Sequence, residues 1–443
     1  MKLCWKDRII ACCIVLLYVI AFTIIGKAFV SKVIVKYCGI SNEITDFVME
    51  GKDNQTESRK VDINWKKLYP FEQEEEVSFQ KKIEQKLNNS SKPEKRLTRW
   101  IQKNFWGYWD LVENARLFDQ YMGWHLYRQD GAEIKMFEDG YLVHAWPQSN
   151  MEAKIVAVIN FYQFCQEQNI PLLFVQAPVK FDRGLEQQNQ KLNGYANKNA
   201  DELIIGLRKQ GIHVLDIRNE IEKRGMNIES LFFKTDHHWK PQTALWATGL
   251  IVQTLQKIPQ VHLPDETPFL PSDMYEEKVY SGNFLGSSGR TVTLARARPE
   301  NISLFFPKGK TDFTYIIPEL GLNKRGEFSE MYDMTQVRAG DFYNKNSYAA
   351  YGYGDKAYIH IENHKQTSNK KILLIKDSFG DAIGPFLAMN TTYLDIIDLR
   401  AFNGSLQSFI KGNKPDVIII LYSANVESAI QPWGIHGDPF DFR

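Results

Sequence analysis

The 443-residue chain has little cysteine, and almost none of it where a folded body could use it. Of its five cysteines, Cys4, Cys12, Cys13 and Cys38 lie in or beside an N-terminal apolar region, and Cys165 stands alone in the body. A single cysteine cannot close an internal disulfide, and without a Cys-x-x-Cys pair a structural zinc site has no framework. A large domain can be stable without bridges, so their absence does not exclude an extracellular location. Neither sign of charge is in excess: 54 Lys and Arg against 53 Asp and Glu leave a formal +1. Nucleic-acid binding, which ordinarily shows a basic surplus, gains no support. No internal repeat is evident, so a repeat array is not indicated, and no nucleotide or metal cofactor is indicated either.

Aromatic residues, by contrast, are plentiful at 13%, with 10 Trp and 20 Tyr. They suit a large core and are compatible with carbohydrate contacts, since sugar rings stack on aromatic faces. One long apolar run stands out, Ile9 to Ile25, preceded by Lys2, Lys6 and Arg8. Extended a little at each end, it can cross a hydrocarbon core of about 30 Å. The basic flank predicts a cytoplasmic N-terminus and an exported body at the cell membrane. A cleaved signal peptide competes, but the following Gly-Lys-Ala-Phe-Val-Ser-Lys lacks a clean small-x-small site. The expectation is an uncleaved tip and anchor over residues 1–35, a polar stalk over 36–99 and a body over 100–443.

Within the body, Met136 to Val143 reads as a hairpin turning at Asp139-Gly140. Glu152 to Glu167 reads as an amphipathic helix. It leads to Pro171-Leu172-Leu173-Phe174-Val175-Gln176-Ala177-Pro178, the pattern of a buried parallel strand. Further strands are expected at His213–Ile217, Lys371–Ile375, Tyr393–Asp398 and Asp416–Tyr422. Helices are expected near 200–210, 241–257, after Ser378 and near 406–411. Strands alternating with helices predict an α/β domain whose sheet is mostly parallel and covered on both faces. Residues of about 261–370 break this rhythm with many Gly, Pro and Tyr, and read as a loop-rich insertion with short strands.

Two segments carry chemistry. Asp236-His237-His238-Trp239 offers an acid and a base two residues apart, and Ser378 follows a buried strand directly and precedes a helix. An Asp that orients a His, and a His that deprotonates a Ser, make a serine acyl-transfer site. At a strand–helix junction Ser378 emerges at the C-terminal sheet edge, beside outward backbone N–H groups that can stabilise an oxyanion. A helix N-cap serine has the same local geometry, and an Asp cap with a surface His would explain the other segment. A metal reading competes, because Asp and His are ligands, but no second carboxylate–histidine cluster accompanies them. Asp377 faces away from Ser378 on an extended strand and reads as structural. Arg400 could orient a sugar or stabilise developing charge, or form an ion pair at the surface. Gly282 and Asn283, in Tyr280-Ser281-Gly282-Asn283-Phe284, could supply an N–H and an amide to an oxyanion hole. Trp239 and Tyr422 are further candidate substrate contacts.

Together these segments resemble the bacterial DHHW protein family, an SGNH-hydrolase-like branch related to AlgX and AlgJ of alginate O-acetylation. The resemblance is carried by Thr235-Asp236-His237-His238-Trp239, Leu373-Leu374-Ile375-Lys376-Asp377-Ser378-Phe379 with Pro385-Phe386-Leu387, Asp398-Leu399-Arg400, and Ile420-Leu421-Tyr422-Ser423. It spans roughly residues 110–430. In the AlgX and AlgJ relatives Gly-Asp commonly precedes the nucleophile, whereas Lys376-Asp377 stands here. The Gly and Asn blocks of typical SGNH hydrolases are not identifiable. The resemblance implies an SGNH-hydrolase-like, flavodoxin-like fold and an extracytoplasmic domain that transfers or removes an acetyl group on a cell-surface polysaccharide. It also implies a multi-pass membrane acyltransferase (MBOAT-type) as the partner that exports the acetyl group. An acetylesterase with the same triad, and a non-catalytic polysaccharide-binding scaffold, remain open at this point.

Overall fold

The apolar runs singled out in the sequence become strands of one sheet, and their alternating residues serve two different cores. In this computed structural model, described residues are 107–123, 127–129, 132–137, 139–180, 194–261, 272–428 and 437–443; all fall within the unit Ser90–Arg443. The strands are β1 (Tyr127–Gln129), β2 (Ala132–Met136), β3 (Leu142–Ala145), β4 (Leu172–Gln176), β5 (His213–Asp216), β6 (Tyr275–Phe284) and β7 (Glu300–Pro307). They continue with β8 (Phe313–Ile317), β9 (Leu322–Gly326), β10 (Tyr358–Asn363), β11 (Lys371–Lys376), β12 (Tyr393–Ile397) and β13 (Val417–Tyr422). The expected anchor and stalk, residues 1–99, lie outside the described residues. Among those described, no helix is long and apolar enough to cross a membrane.

The main sheet has eight strands in the order β5-β4-β13-β11-β12-β10-β8-β9. The first five pair in parallel. Leu173 and Val175 of β4, Ile372 and Leu374 of β11, and Ile419 and Leu421 of β13 enter one core, with the helices Pro241–Gln256 and Gly380–Ala388. Their neighbours Leu172, Phe174, Leu373, Ile375, Ile418 and Ile420 enter the other, with the helices Glu152–Glu167, Ala196–Lys209 and Leu406–Asn413. A strand packed on both faces needs apolar side chains at every position, which is why these segments read as unbroken runs.

Two expectations need correction. Numbered in chain order, the five parallel strands lie 2-1-5-3-4 rather than in the flavodoxin order 2-1-3-4-5, because β13 inserts between β4 and β11. The sheet is also mixed. Segment 261–370, expected to be a loop-rich insertion with short strands, has strands that join the main sheet: β8, β9 and β10 extend it antiparallel beyond β12. β8 and β10 alternate buried and half-buried residues, the mark of a strand wet on one face. Their Thr, His and Glu residues dilute the apolar signal. The outermost strand β9 carries exposed Lys324 and Arg325, which blunt the edge against further pairing. The same segment supplies the β6–β7 ribbon.

The hairpin at Asp139-Gly140 is present, with Met136 opposite Leu142 and Gly140 at φ +84°, a conformation open to glycine at little cost. β3 then leads its chain across to the loop holding Asp236, where Leu142 N donates to Lys234 O at 2.9 Å.

Candidate active site

The C-terminal ends of β4, β11 and β13 meet at one edge, and the candidate residues gather there. After Lys376 the chain turns through Asp377-Ser378-Phe379 into the helix Gly380–Ala388. Asp377 fixes this turn: its Oδ1 accepts from Phe379 N at 2.9 Å, and its Oδ2 accepts from Ser423 N and Oγ at 2.7 and 2.6 Å. It ties the end of β11 to the end of β13 and takes the structural part expected of it. Ser378 is half-buried, and its backbone N–H donates to no group among the described residues.

His238 Nε2 lies 2.6 Å from Ser378 Oγ, and His238 Nδ1 lies 2.5 Å from Asp236 Oδ1. Asp236 Oδ1 also accepts from His238 N at 2.9 Å, and Oδ2 from Ser287 N at 2.6 Å. Burial works to raise the Asp236 carboxyl, but His238, His237 and the donated hydrogen bonds outweigh it and hold its pKa well below the carboxylate range. An ionised Asp236 can only accept, so the ring proton of His238 sits on Nδ1 and Nε2 presents its lone pair to the Ser378 hydroxyl. The three residues therefore form one continuous relay with the polarity that general-base activation of a serine requires.

Several groups that the sequence did not single out hold this relay in place. Lys180, four residues beyond β4, is buried and donates to the carbonyls of Asp236 and Lys234 at 2.7 and 2.8 Å, with its ammonium 4.3 Å from the Tyr141 ring centre. Burial pushes its pKa down to about 7. From the other side Glu300 accepts from Lys234 N, Thr235 N and Thr235 Oγ1 at 2.7, 2.6 and 2.6 Å. The Tyr348 ring stacks on the His238 imidazole, centroids 4.2 Å apart and planes 17° apart. Position was the only available sequence signal for Lys180, since sites gather at strand C-termini. Glu300 and Tyr348 lie far from the motif in the chain and gave none.

Gly286 answers the question of what the glycine-rich loop contributes. A Cβ there would lie 2.3 Å from Asp236 Cβ and 2.5 Å from Thr235 O, so only glycine lets Ser287 N reach the carboxylate. Gly286→Ala is expected to push Asp236 off its geometry, lowering kcat/KM for an activated acetyl ester about 100-fold and lowering the melting temperature. Wild-type kinetics and melting in this variant would show that the loop is not braced as described.

The other candidates lie differently from expectation. Gly282, at φ +58°, spends its N–H on Asn301 Oδ1 at 2.9 Å at an exposed irregularity of β6. Asn283 is buried with its carbonyl accepting from Ser347 Oγ at 2.8 Å. Arg400 is buried in a charge cluster. Its Nε and Nη2 donate to Asp398 at 2.9 and 2.5 Å, and Nη2 donates to Asp355 at 2.6 Å. Lys376 joins the same cluster through Asp381 and, at 3.2 Å, Asp355. The three carboxylates outweigh burial and raise the Lys376 pKa, so it stays charged. Trp239 is fully buried against Phe379, centroids 5.3 Å apart, and walls the turn rather than facing solvent. Tyr422 lies in the core on the far face of the sheet, beside Phe174 and Phe440, with its hydroxyl on Pro439 O.

Asp236, His237 and His238 do place ligand-type atoms within 4.8 Å of one another. Both ring nitrogens of His238 and both oxygens of Asp236 are engaged in the relay, so an ion held by them would break it. Beside the relay runs a narrow crevice whose walls include His144, Lys180, His237, Phe379, Ser423 and Asn425.

The chain is similar to several known proteins. Residues 136–305 match the family described as SGNH hydrolase-like domain, acetyltransferase AlgX. The structure of Bacillus cereus PatB1 superposes with a TM-score of 0.55 at 23% identity, covering 70% of this chain and 99% of that one. A DHHW family protein from Eubacterium siraeum superposes with a TM-score of 0.51 at 16% identity, covering 70% and 95%. No curated protein matches the chain. The resemblance read from the sequence is thus shown, and the solved structures share the fold.

Proposed function

We propose that the protein is a membrane-anchored, extracytoplasmic O-acetyltransferase of the SGNH-like serine type, acting on a cell-surface polysaccharide. The observation that carries this reading is the unbroken Asp236–His238–Ser378 relay at the sheet edge. The matched acetyltransferase family gives the reaction class its support. Ser378 Oγ attacks the acetyl carbonyl as its proton passes to His238 Nε2, and Asp236 stabilises the imidazolium that forms. The Ser378 N–H, which donates to no group among the described residues, receives the developing oxyanion. The donor's leaving group departs with the proton from His238, leaving an acetyl ester on Ser378. A sugar hydroxyl then gives its proton to His238, and its oxygen bonds to the acetyl carbon. The Ser378 Oγ–carbon bond breaks, and the proton returns to Ser378. The acetyl donor outside the cell is supplied by a multi-pass membrane acyltransferase.

The test is mass spectrometry of the protein after incubation with p-nitrophenyl acetate and a mixture of neutral cello-, xylo- and chito-oligosaccharides. The expected result is one acetyl group on the Ser378 peptide and acetylated sugar in solution. Acetylated Ser378 with free acetate alone would make the protein an acetylesterase, and no Ser378 adduct would leave a polysaccharide-binding scaffold.

A further inference from the structure

We infer that His237, the first histidine of the pair, binds the acceptor sugar and directs the acetyl group to a hydroxyl rather than to water. This rests on the acyl-transfer reading above. The His237 ring stands 3.9 Å from the His238 ring, centroid to centroid, and 5.5 Å from that of His144, with which it stacks at 27°. Its Nδ1 lies 3.0 Å from Ser287 Oγ, on the residue whose N–H holds Asp236. That contact orients the ring. Nε2, on the other side, makes no hydrogen bond among the described residues, and the ring forms part of the crevice wall beside Phe379.

The crevice favours an uncharged hydroxyl-bearing ligand. Its cation, Lys180, spends its ammonium on two loop carbonyls and the Tyr141 ring. Burial, with the neighbouring His238, keeps His237 neutral. Burial and Lys180 likewise push His144 down to about 4. No carboxylate lines it. Asn425 Oδ1 accepts from Trp146 Nε1 at 2.7 Å, which leaves its amide N–H groups turned away from that bond. Ser423 spends its hydroxyl on Asp377, and the remaining walls, Val143, Pro178, Val179, Phe379 and Ala424, are apolar. The space is small, about 10 Å³, so it admits one hydroxyl of a neutral acceptor whose ring lies outside it, and that hydroxyl meets the imidazole. His238 removes the proton of the reacting hydroxyl, and His237 Nε2 holds a hydroxyl of the same acceptor.

Two substitutions separate this role from a structural one. In His237→Asn the side-chain amide reaches the Nδ1 position and keeps the Ser287 contact but loses Nε2. In His237→Gln an amide reaches the Nε2 position. The experiment loads full-length protein with p-nitrophenyl acetate, adds the neutral oligosaccharide mixture, and measures acetylated sugar against free acetate released from Ser378. In His237→Asn this ratio is expected to fall about tenfold or more, as one lost hydrogen bond to substrate predicts. In His237→Gln it is expected to recover to within about threefold of wild type. An unchanged ratio in His237→Asn overturns the inference, as does an acetylated wild type that gives acetate alone. A wild type that never acetylates Ser378 overturns the acyl-transfer reading itself.

Discussion

Replacing Ser378 by alanine is expected to lower acetyl-ester turnover by about 10⁴-fold or more and to abolish the acetylated peptide, with the fold intact. Oγ is the atom that carries the acetyl group, and its loss leaves only binding and the N–H at the turn to stabilise the transition state. The substitution costs the fold little. The turn is held by Asp377 through Phe379 and Ser423, not by the Ser378 hydroxyl, whose hydrogen bond is to His238. Stopped-flow release of p-nitrophenol with circular-dichroism melts tests both halves. Turnover within tenfold of wild type in a well-folded Ser378→Ala would remove Ser378 from the chemistry.

Asp236→Asn is expected to be nearly as damaging, by about 10³- to 10⁴-fold, although it changes one atom. Asp236 accepts at both oxygens, from His238 N and Nδ1 on Oδ1 and from Ser287 N on Oδ2. An asparagine has one oxygen. Turned toward His238, its amide donor meets the Ser287 N–H; turned toward Ser287, it meets two His238 donors and favours the tautomer that puts the proton on Nε2. Neither orientation leaves His238 both held and basic. The stability of the two proteins should also diverge with pH. The folded pKa of Asp236 lies below its unfolded value, so its contribution is present above the ordinary carboxylate range and fades as pH falls below it. Melting curves of Asp236→Asn should lack that part of the acid-side loss. Equal turnover in the two proteins would mean that Asp236 does not orient His238.

Much of this was legible in the chain because each local signal had a local cause. The helix expected over Glu152–Glu167 has those bounds, and the strands expected near 172, 213, 371, 393 and 416 form the parallel half of the sheet. Two-faced burial writes itself into sequence as an unbroken apolar run. The relay was legible because Asp236 and His238 are neighbours and Ser378 follows such a run. Groups that meet through tertiary packing alone were not. Lys180 sits against the Asp-His-His-Trp loop because β4 ends beside it, and Glu300 because β7 begins beside it. The segment that ends β6 with Gly282 and Asn283 does reach the relay, but four residues further on, through Gly286 and Ser287. A glycine required for close approach looks the same in sequence as a glycine required for a turn; only the Cβ distances to Asp236 tell them apart. Arg400 looked available because a sequence does not disclose that Asp355 arrives to share it with Asp398.

The position of β13 has a consequence for when the protein can work at all. β13, the last strand among the described residues, fills the gap between β4 and β11, and Ser423 just beyond it holds the turn that presents the nucleophile. Acid and base can meet early, being two residues apart, while the serine has no fixed place until β13 and Ser423 have been made. Synthesis runs from the N-terminus, so a shortened chain that stops before Val417 carries all three reactive residues and yet has no site in which to use them.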